Sequence, residues 1–335
     1  MQYSRADAKK WVRDTLHGYI VTTTTPFLPD LSVDWAGLRR NVDHLIGLPG
    51  SRGLYIGSVY QEFWTLTLDE RKRVTDCIVE AVGGRVPVIA GVSHTSYQDA
   101  IELARHAQQA GADLVMCWPP FYGPRSPDGI FAYYERVASA VDIGIALYSS
   151  TLSELGYYIT PEEVVRLAGI DTICAVKEAS LSLDKYSAMM TAAGHLLAIS
   201  CPLEEYHLYG LAAFGPAVIP RFLLGSSRPI YMQSQARPHC AEFMAAVECG
   251  DLDAARVPLQ RIVAVANELH SRFLAKGQHN VALTKHVMEM MGMASGTVRP
   301  PLAPASDQEK AMVHEVLTAA GLLTPEVRRR PPQNE

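Results

Sequence analysis

The sequence predicts a (β/α)8 barrel, the TIM-barrel form of an α/β protein, with a C-terminal helical extension. Short apolar runs alternate with longer amphipathic segments eight times within about 230 residues, and this count and unit length suit such a barrel. From about Pro229 onward the pattern is helical only. A doubly wound sheet is the alternative fold, but no Gly-x-Gly-x-x-Gly turn follows the first predicted strand, so the usual sign of a dinucleotide-binding sheet is missing.

The individual elements follow from local patterns along the chain. Apolar and β-branched runs predict strands over residues 19–25, 54–57, 86–91, 114–118, 143–148, 173–179, 196–200 and 217–219. Helix-start signals lie between them: Thr67 and Glu70 form a capping box, and Pro161 occupies a first helical position. Further helices are predicted over residues 240–249, 252–274, 281–291 and 306–320. We therefore expect a leader helix in residues 1–17, the barrel in 18–228 and the helical extension in 229–335.

Composition excludes several classes of protein. Hydrophobic residues make up 48% and charged residues 19% of the 335 residues, so the chain can bury a sizeable core and is not a disordered polymer. The net charge of −5 argues against a nucleic-acid partner. The six cysteines are scattered without metal-ligand spacing, so we expect no metal site and a reducing compartment. The sequence has no signal-peptide pattern and no apolar run that could span a bilayer, so we expect a cytoplasmic protein without a membrane partner.

Lys177 is the residue most suggestive of chemistry. It stands near the end of the buried run Ile173–Ala179, and the carboxyl ends of strands are where a barrel binds its ligands. Apolar surroundings destabilise the ammonium form and lower its pKa, so the neutral amine can attack a ketone and form a Schiff base. For a strand-end lysine taken alone, a solvated side chain is the commoner outcome.

Other strand ends carry further candidates. Tyr148 ends the fifth predicted strand, where it could pass protons to and from a substrate oxygen, although a buried tyrosine with a bonded hydroxyl is the commoner case. Phe121 and Tyr122 follow the fourth strand, and packing or a subunit contact is the commoner role of such a pair. Further candidates lie in or after the second, third, seventh and eighth predicted strands: Ser58, Val59, Tyr60, His94, Cys201, Ile219 and Arg221.

Several short segments occur in the order known from one enzyme family. They are Thr24–Phe27, Leu31–Asp34, Gly53–Tyr55, Glu62–Thr67, Glu70–Arg71, Pro87–Val92, Ala110–Asp113, Pro119–Tyr122, Leu147–Tyr148 and Val176–Glu178. With them the chain resembles the dihydrodipicolinate synthase and N-acetylneuraminate lyase family of Schiff-base aldolases, well over residues 18–180 and loosely beyond. The resemblance implies that Lys177 is the Schiff-base lysine and Tyr148 the proton-transferring tyrosine beside it, with no metal or organic cofactor. It also implies a homo-oligomer, a tetramer or a dimer, in which Tyr122 reaches toward a neighbouring subunit's site.

The sequence departs from that family where the substrate's carboxylate would be held. The family usually has Gly-Thr-Thr-Gly-Glu after the second strand, whereas this chain reads Ser-Val-Tyr-Gln-Glu over residues 58–62. Val59 cannot donate a hydrogen bond, and Ser149 stands where an asparagine usually follows the tyrosine. The arginine of the synthases has no counterpart in residues 150–154, and Cys-Pro-Leu replaces the usual Gly-Asp-Asp over 201–203.

We therefore expect the substrate anion to be held differently, because a buried carboxylate without donors would cost several kcal/mol. Arg221 or the hydroxyl of Tyr60 is the expected anion contact. The expected substrate-binding set is Ser58, Val59, Tyr60, Ser149, Cys201, Ile219 and Arg221.

The expected activity is that of a carbon–carbon lyase, an aldolase or hydratase-aldolase that acts on a 2-oxo acid such as pyruvate, or on a related carbonyl substrate. Val59, Tyr60 and Trp64 crowd one loop and suggest a substrate with an aromatic or apolar part. A dehydratase of sugar-derived 2-oxo acids would use the same imine. A non-catalytic relative that binds a small molecule, and a barrel enzyme of unrelated chemistry, are the remaining alternatives.

Overall fold

The computed structural model describes residues 2–152, 156–273 and 280–323. The chain divides into two compact units. The first takes the residues up to 22 together with 52–58 and 66–226, and the second takes 23–51, 59–65 and the residues from 227 onward. No helix among the described residues is long and apolar enough to cross a membrane.

The first unit is built on eight parallel strands that form a nearly closed barrel. The strands are β1 (Gly18–Thr22), β2 (Ser51–Ile56), β3 (Val88–Gly91), β4 (Leu114–Cys117), β5 (Gly144–Ser150), β6 (Ile173–Ala179), β7 (Ala198–Ser200) and β8 (Phe222–Ser226). Their order in the sheet is β7-β6-β5-β4-β3-β2-β1-β8, so the last strand returns to pair with the first. Long buried runs on neighbouring parallel strands are what a sheet covered on both faces requires. The predicted (β/α)8 fold is thus confirmed.

Helices connect the strands and continue beyond them. In chain order they are α1 (Ala8–Thr15), α2 (Trp35–Ile46), α3 (Leu68–Val82), α4 (Tyr97–Ala110), α5 (Pro127–Ser139), α6 (Pro161–Leu167), α7 (Leu183–Ala193), α8 (Glu204–Phe214), α9 (Arg228–Tyr231), α10 (His239–Glu248), α11 (Leu252–Phe273), α12 (Val281–Met290) and α13 (Asp307–Ala319). The predicted capping box before α3 is present, with Thr67 and Glu70 bonding to each other's backbone amides. Thr160 makes a second capping box before α6, with Pro161 at its first position.

The predicted eighth strand over residues 217–219 is wrong. The backbone N–H groups of Val218 and Ile219 both donate to Gly215 O, so this apolar run is a turn that follows α8. The eighth strand is Phe222–Ser226, which pairs with β1 from Gly18 onward. Its position moves the carboxyl end of the last strand from residue 219 to residue 226.

Ser200 joins the two strands at which the sheet would otherwise be open. Its Oγ donates to Phe222 O at 2.8 Å and accepts from the backbone N–H of Leu224 at 3.0 Å. One hydroxyl thus satisfies a buried carbonyl and a buried amide of β8 that have no ladder bond to β7. We infer that this side chain closes the barrel between β7 and β8.

In the second unit, a buried ion pair fixes the segment 59–65 to the C-terminal helices. Lys285 Nζ lies 2.6 Å from Glu62 Oε1 and donates to Thr297 O. The backbone N–H of Arg299 donates to Glu62 Oε2. The centre of the Phe27 ring lies 4.0 Å from Lys285 Nζ and 4.4 Å from the Arg299 guanidinium. Burial lowers the pKa of Lys285 to about 8, although the Glu62 carboxylate opposes that shift. Because both charged groups have several hydrogen-bond and aromatic partners, we assign the Lys285–Glu62 pair a structural role.

Removing the hydroxyl of Ser200 tests the closure of the barrel. We expect Ser200→Ala to lower the free energy of unfolding by about 1–3 kcal/mol, because it leaves a buried carbonyl and a buried amide without a partner. Urea unfolding followed by circular dichroism measures this change. Ser139→Ala is the matched control, since the Ser139 hydroxyl bonds to Glu135 O on an exposed helix face. Equal effects of the two substitutions would show that Ser200 does not join the strands.

Candidate active site

Lys177 lies within the barrel near the carboxyl end of β6. It is opposite Tyr148 of β5 and Ser200 of β7, and only 5% of its surface is exposed. Its Nζ donates to Gly225 O at 3.2 Å, and among the described residues it takes part in no ion pair. Loss of hydration lowers the pKa of Lys177 to about 7, and the nearby Cys201 thiol opposes the shift. A large part of this amine is therefore neutral and nucleophilic near neutral pH.

Two aromatic rings flank the amine. The ring centre of Tyr148 lies 4.9 Å from Lys177 Nζ and that of Tyr55, on β2, lies 5.3 Å from it. Trp118 follows β4 directly, lies 5.0 Å from the Tyr148 ring at an angle of 31°, and donates from Nε1 to the Tyr55 hydroxyl at 3.4 Å. All three side chains are buried to 2% exposure. Apolar rings this close to the amine contribute to the burial that lowers its pKa.

Gly225 of β8 is required by the position of the lysine. Its φ is +76°, which L side chains rarely adopt, and a Cβ atom there would lie 2.5 Å from Lys177 Nζ and 2.9 Å from Tyr55 Cδ1. The glycine therefore makes room for the amine and the ring together, while its carbonyl accepts from the amine.

Glu178, the next residue on β6, does not pair with the lysine. Successive side chains of a strand point to opposite faces of the sheet, so Glu178 points away from the barrel interior. Its Oε1 accepts from the backbone N–H of Ser180, and burial raises its pKa to about 7. Its Oε2 has no hydrogen-bond partner among the described residues. The strand thus places a buried acid close to the lysine in sequence without giving the lysine a counter-ion.

Three of the predicted substrate contacts in the first unit lie at strand ends. Ser58 is buried after β2 and shares a hydrogen bond of 2.7 Å with Thr22 Oγ1 at the end of β1. Cys201 is buried directly after β7, close enough to influence the pKa of Lys177. Ser149 follows Tyr148 on β5, and its Oγ donates to Ile159 O, so this hydroxyl bonds to the chain after β5.

The predictions for Ile219 and Arg221 are corrected by the position of β8. Both residues precede that strand, so they lie at the amino end of the barrel, opposite the end that carries Lys177. The Arg221 side chain is exposed and donates to Asp14 O. Arg221 is therefore not the anion contact that the sequence suggested, because the predicted strand end was a turn.

The remaining predicted residues are placed as follows. Val59 is buried and Tyr60 is partly exposed in a 3-10 turn, Val59–Gln61, of the second unit. Tyr122 lies on the loop after β4 and is 84% exposed, so its side chain is directed into solvent. The nitrogen Nδ1 of His94 lies 3.2 Å from Asp99 Oδ2, and burial lowers the pKa of this histidine.

Sequence analysis did not identify Tyr55, Trp118 and Gly225 as site residues. Tyr55 lies two residues before Gly57 and Trp118 directly after Cys117, so both are near strand ends where a candidate could have been sought. Their strands are buried on both faces, and the alternation that reveals an inward-facing side chain is absent there. Among the described residues, no cluster of three or more His, Cys, Asp or Glu side chains could hold a metal ion.

Comparisons with known proteins place the chain in one family. The family model of the Dihydrodipicolinate synthetase family matches residues 15–320. The 4-hydroxy-tetrahydrodipicolinate synthase of Methanothrix thermoacetophila is 31% identical over 93% of this chain and 99% of its own length. A dihydrodipicolinate synthase crystal structure is 28% identical, with a TM-score of 0.79 over 92% of this chain and all of its own.

A second solved structure is that of a prophage protein of the dihydrodipicolinic acid synthase family from E. coli K12 in complex with pyruvate. It is 26% identical, with a TM-score of 0.79, and the match covers 92% of this chain and 99% of that protein. The family match extends over nearly the whole chain, including the strand that carries Lys177. This chain therefore belongs to the dihydrodipicolinate synthetase family and is a lyase of the Schiff-base aldolase kind.

Proposed function

We propose that this lyase makes or breaks a carbon–carbon bond of a 2-oxo acid, as an aldolase or hydratase-aldolase, through an imine on Lys177. The observation that carries the proposal is the buried amine of Lys177, which has no ion-pair partner among the described residues and whose pKa burial lowers to about 7. The related E. coli protein was solved with pyruvate, which supports a 2-oxo acid as the reacting part of the substrate.

The proposed cycle begins when neutral Lys177 Nζ adds to the 2-oxo carbon. The resulting carbinolamine loses water, and the protonated imine then withdraws electrons from the adjacent carbon. Tyr148, whose ring lies beside Nζ, carries protons to and from the substrate oxygen during imine formation and bond cleavage. Gly225 O holds the amine in place before attack. Neither a metal nor an organic cofactor is needed.

The choice of substrate rests on the residues around the reacting carbon. Tyr55, Trp118 and Tyr148 make the surroundings of Nζ aromatic, which favours a substrate with an apolar or aromatic part. Ser58 and Cys201 at neighbouring strand ends are proposed substrate contacts, as are Ser149, Val59 and Tyr60, whose hydroxyl remains the proposed anion contact. Dehydration of a sugar-derived 2-oxo acid is the second candidate, because it proceeds through the same imine.

We also propose a cytoplasmic homo-oligomer, a tetramer or a dimer. Tyr122 is a large aromatic side chain exposed to solvent, and a second copy of the chain would cover it. Its proposed catalytic role, as a tyrosine presented to the neighbouring subunit's site, depends on that assembly.

Borohydride trapping tests the imine directly. We expect incubation with pyruvate, or with one of a panel of larger 2-oxo acids, and borohydride to add the reduced acid to Lys177, as mapped by peptide mass spectrometry. Lys177→Ala is expected to abolish the adduct, because it removes the buried amine that forms the imine. The control Lys185→Ala, which removes an exposed amine from the first turn of α7, is expected to keep the adduct. A folded wild-type protein that forms no adduct with any acid would favour the non-catalytic binding protein.

The pH dependence of trapping follows from the ionisation of Lys177. The neutral amine is the nucleophile and loss of hydration lowers its pKa to about 7, so the initial trapping rate should rise with pH and level off above about 7. Below that value it should fall about tenfold per pH unit. Initial rates of adduct formation with cyanoborohydride from pH 5 to 9 measure this profile. A rate still rising steeply beyond pH 9 would mean that Lys177 is an ordinary solvated lysine.

Gly225→Ala tests the space reserved for the amine. The added Cβ would lie 2.5 Å from Lys177 Nζ, so we expect the amine to be displaced and the trapping rate to fall about a hundredfold. Gly84→Ala is the matched control, because Gly84 has a similar φ of +73° with nothing within 4 Å of the added Cβ. Both variants carry the cost of a left-handed alanine, about 1 kcal/mol, and only the first should lose trapping. Equal trapping rates in the two variants would contradict the assigned role of Gly225.

A further inference from the structure

Trp118 is held rigidly at the carboxyl end of β4. Its side chain is 2% exposed, and its backbone N–H donates to Ser93 Oγ at 2.9 Å. The carbonyl of the preceding residue, Cys117, accepts from the hydroxyl of Tyr134 on α5 at 3.1 Å. The Cys117–Trp118 peptide group is therefore held at both its carbonyl and its N–H by buried hydrogen bonds.

The indole connects the two rings that flank the lysine. Its Nε1–H donates to the hydroxyl of Tyr55, and its ring packs at 5.0 Å on the ring of Tyr148. Tyr55 belongs to β2 and Tyr148 to β5, so Trp118 links side chains from strands that do not pair with each other. The centres of these two rings lie about 5 Å from Lys177 Nζ, so the indole is linked to the amine through them.

We propose that Trp118 is a positioning residue of the imine site, which keeps Tyr55 and Tyr148 closed around Lys177 Nζ so that water stays out and the amine stays aimed at the reacting carbon. This inference rests on the proposed function for its chemical consequence. Its physical content, that the indole controls the hydration of the amine, can be measured without any substrate. An indole that only fills the core would lower the stability of the fold and leave the ionisation of Lys177 unchanged.

The test is competitive acetylation of the folded protein with trace acetic anhydride at graded pH, with Lys177 quantified by peptide mass spectrometry. The pH dependence of labelling gives the pKa of the lysine in each variant. We expect Trp118→Leu, which removes both the N–H donor and the stacked ring, to admit water and raise the Lys177 pKa from about 7 by about one unit or more. Trapping of a 2-oxo acid at pH 6.5 should then fall about tenfold, because the neutral fraction of the amine falls by that factor.

Two further variants separate positioning from packing. Trp118→Phe keeps an aromatic ring against Tyr148 and removes the N–H donor, so it should restore part of the wild-type pKa; it also replaces Trp118→Leu if that variant does not fold. The control Tyr3→Phe removes a hydroxyl that donates to Asp113 O and accepts from the backbone N–H of Gly144 at the amino ends of β4 and β5, and it should leave the Lys177 pKa unchanged.

A folded Trp118→Leu or Trp118→Phe whose Lys177 titrates as in the wild type would overturn the proposal. An equal rise in Tyr3→Phe would do the same, because the effect would then come from general loosening of the barrel. Acetylation needs no keto acid, so it tests the positioning role of Trp118 independently of the proposed imine chemistry. If the pKa shifts as expected while the wild type traps no 2-oxo acid, the positioning role stands and the proposed function fails.

Discussion

The site depends on one constraint: the amine of Lys177 is buried, and no residue of the described part of the chain gives it an anionic partner. Moving an ammonium group out of water costs several kcal/mol, and the usual remedy in a protein is a carboxylate beside it. Lys285, in the second unit, follows that rule: Glu62 lies 2.6 Å away and the pKa of the lysine falls only to about 8. Lys177 instead has the carbonyl of Gly225 and the rings of Tyr55 and Tyr148 beside it, and its pKa falls to about 7. A carboxylate at that position would keep the proton on the amine and suppress its attack on a carbonyl carbon.

The barrel supplies this environment through its strand geometry. Side chains alternate between the two faces of β6, so the Lys177 side chain points into the barrel interior and that of Glu178 points away from it, although the two residues are consecutive in sequence. The neighbouring strands contribute an aromatic ring from β2, a second ring from β5 and a glycine from β8. No single strand could surround the amine in this way. The lowered pKa is therefore a property of the closed barrel, and closure at β7 and β8 depends on the hydroxyl of Ser200.

The parts of this arrangement that the sequence could predict are those that have a local signal. Alternating strand and helix patterns indicated the barrel, and a lysine ending an apolar run indicated the amine. The last strand was misplaced because two apolar runs, 217–219 and 222–226, compete, and the first is held in a turn by Gly215 O. Because of that error, Arg221 was predicted at the carboxyl end of the barrel, whereas it lies at the amino end. Tyr55 and Trp118 could not be singled out, because they lie in or directly after largely apolar runs, in which no alternation of polar and apolar residues marks the inner face.

The corrected position of Arg221 changes how a substrate anion would be stabilised under the proposed function. The side chains that the first unit brings to Lys177 and its neighbouring strand ends, namely Tyr55, Ser58, Tyr148 and Cys201, are neutral groups that can donate a hydrogen bond without bringing a cation. A free 2-oxo acid would then meet no fixed positive charge from these residues. Once the imine forms and takes up a proton, its nitrogen carries a positive charge next to the substrate's carboxylate. The protonated imine thus supplies charge that balances the anion, so part of the affinity should arise with the covalent bond.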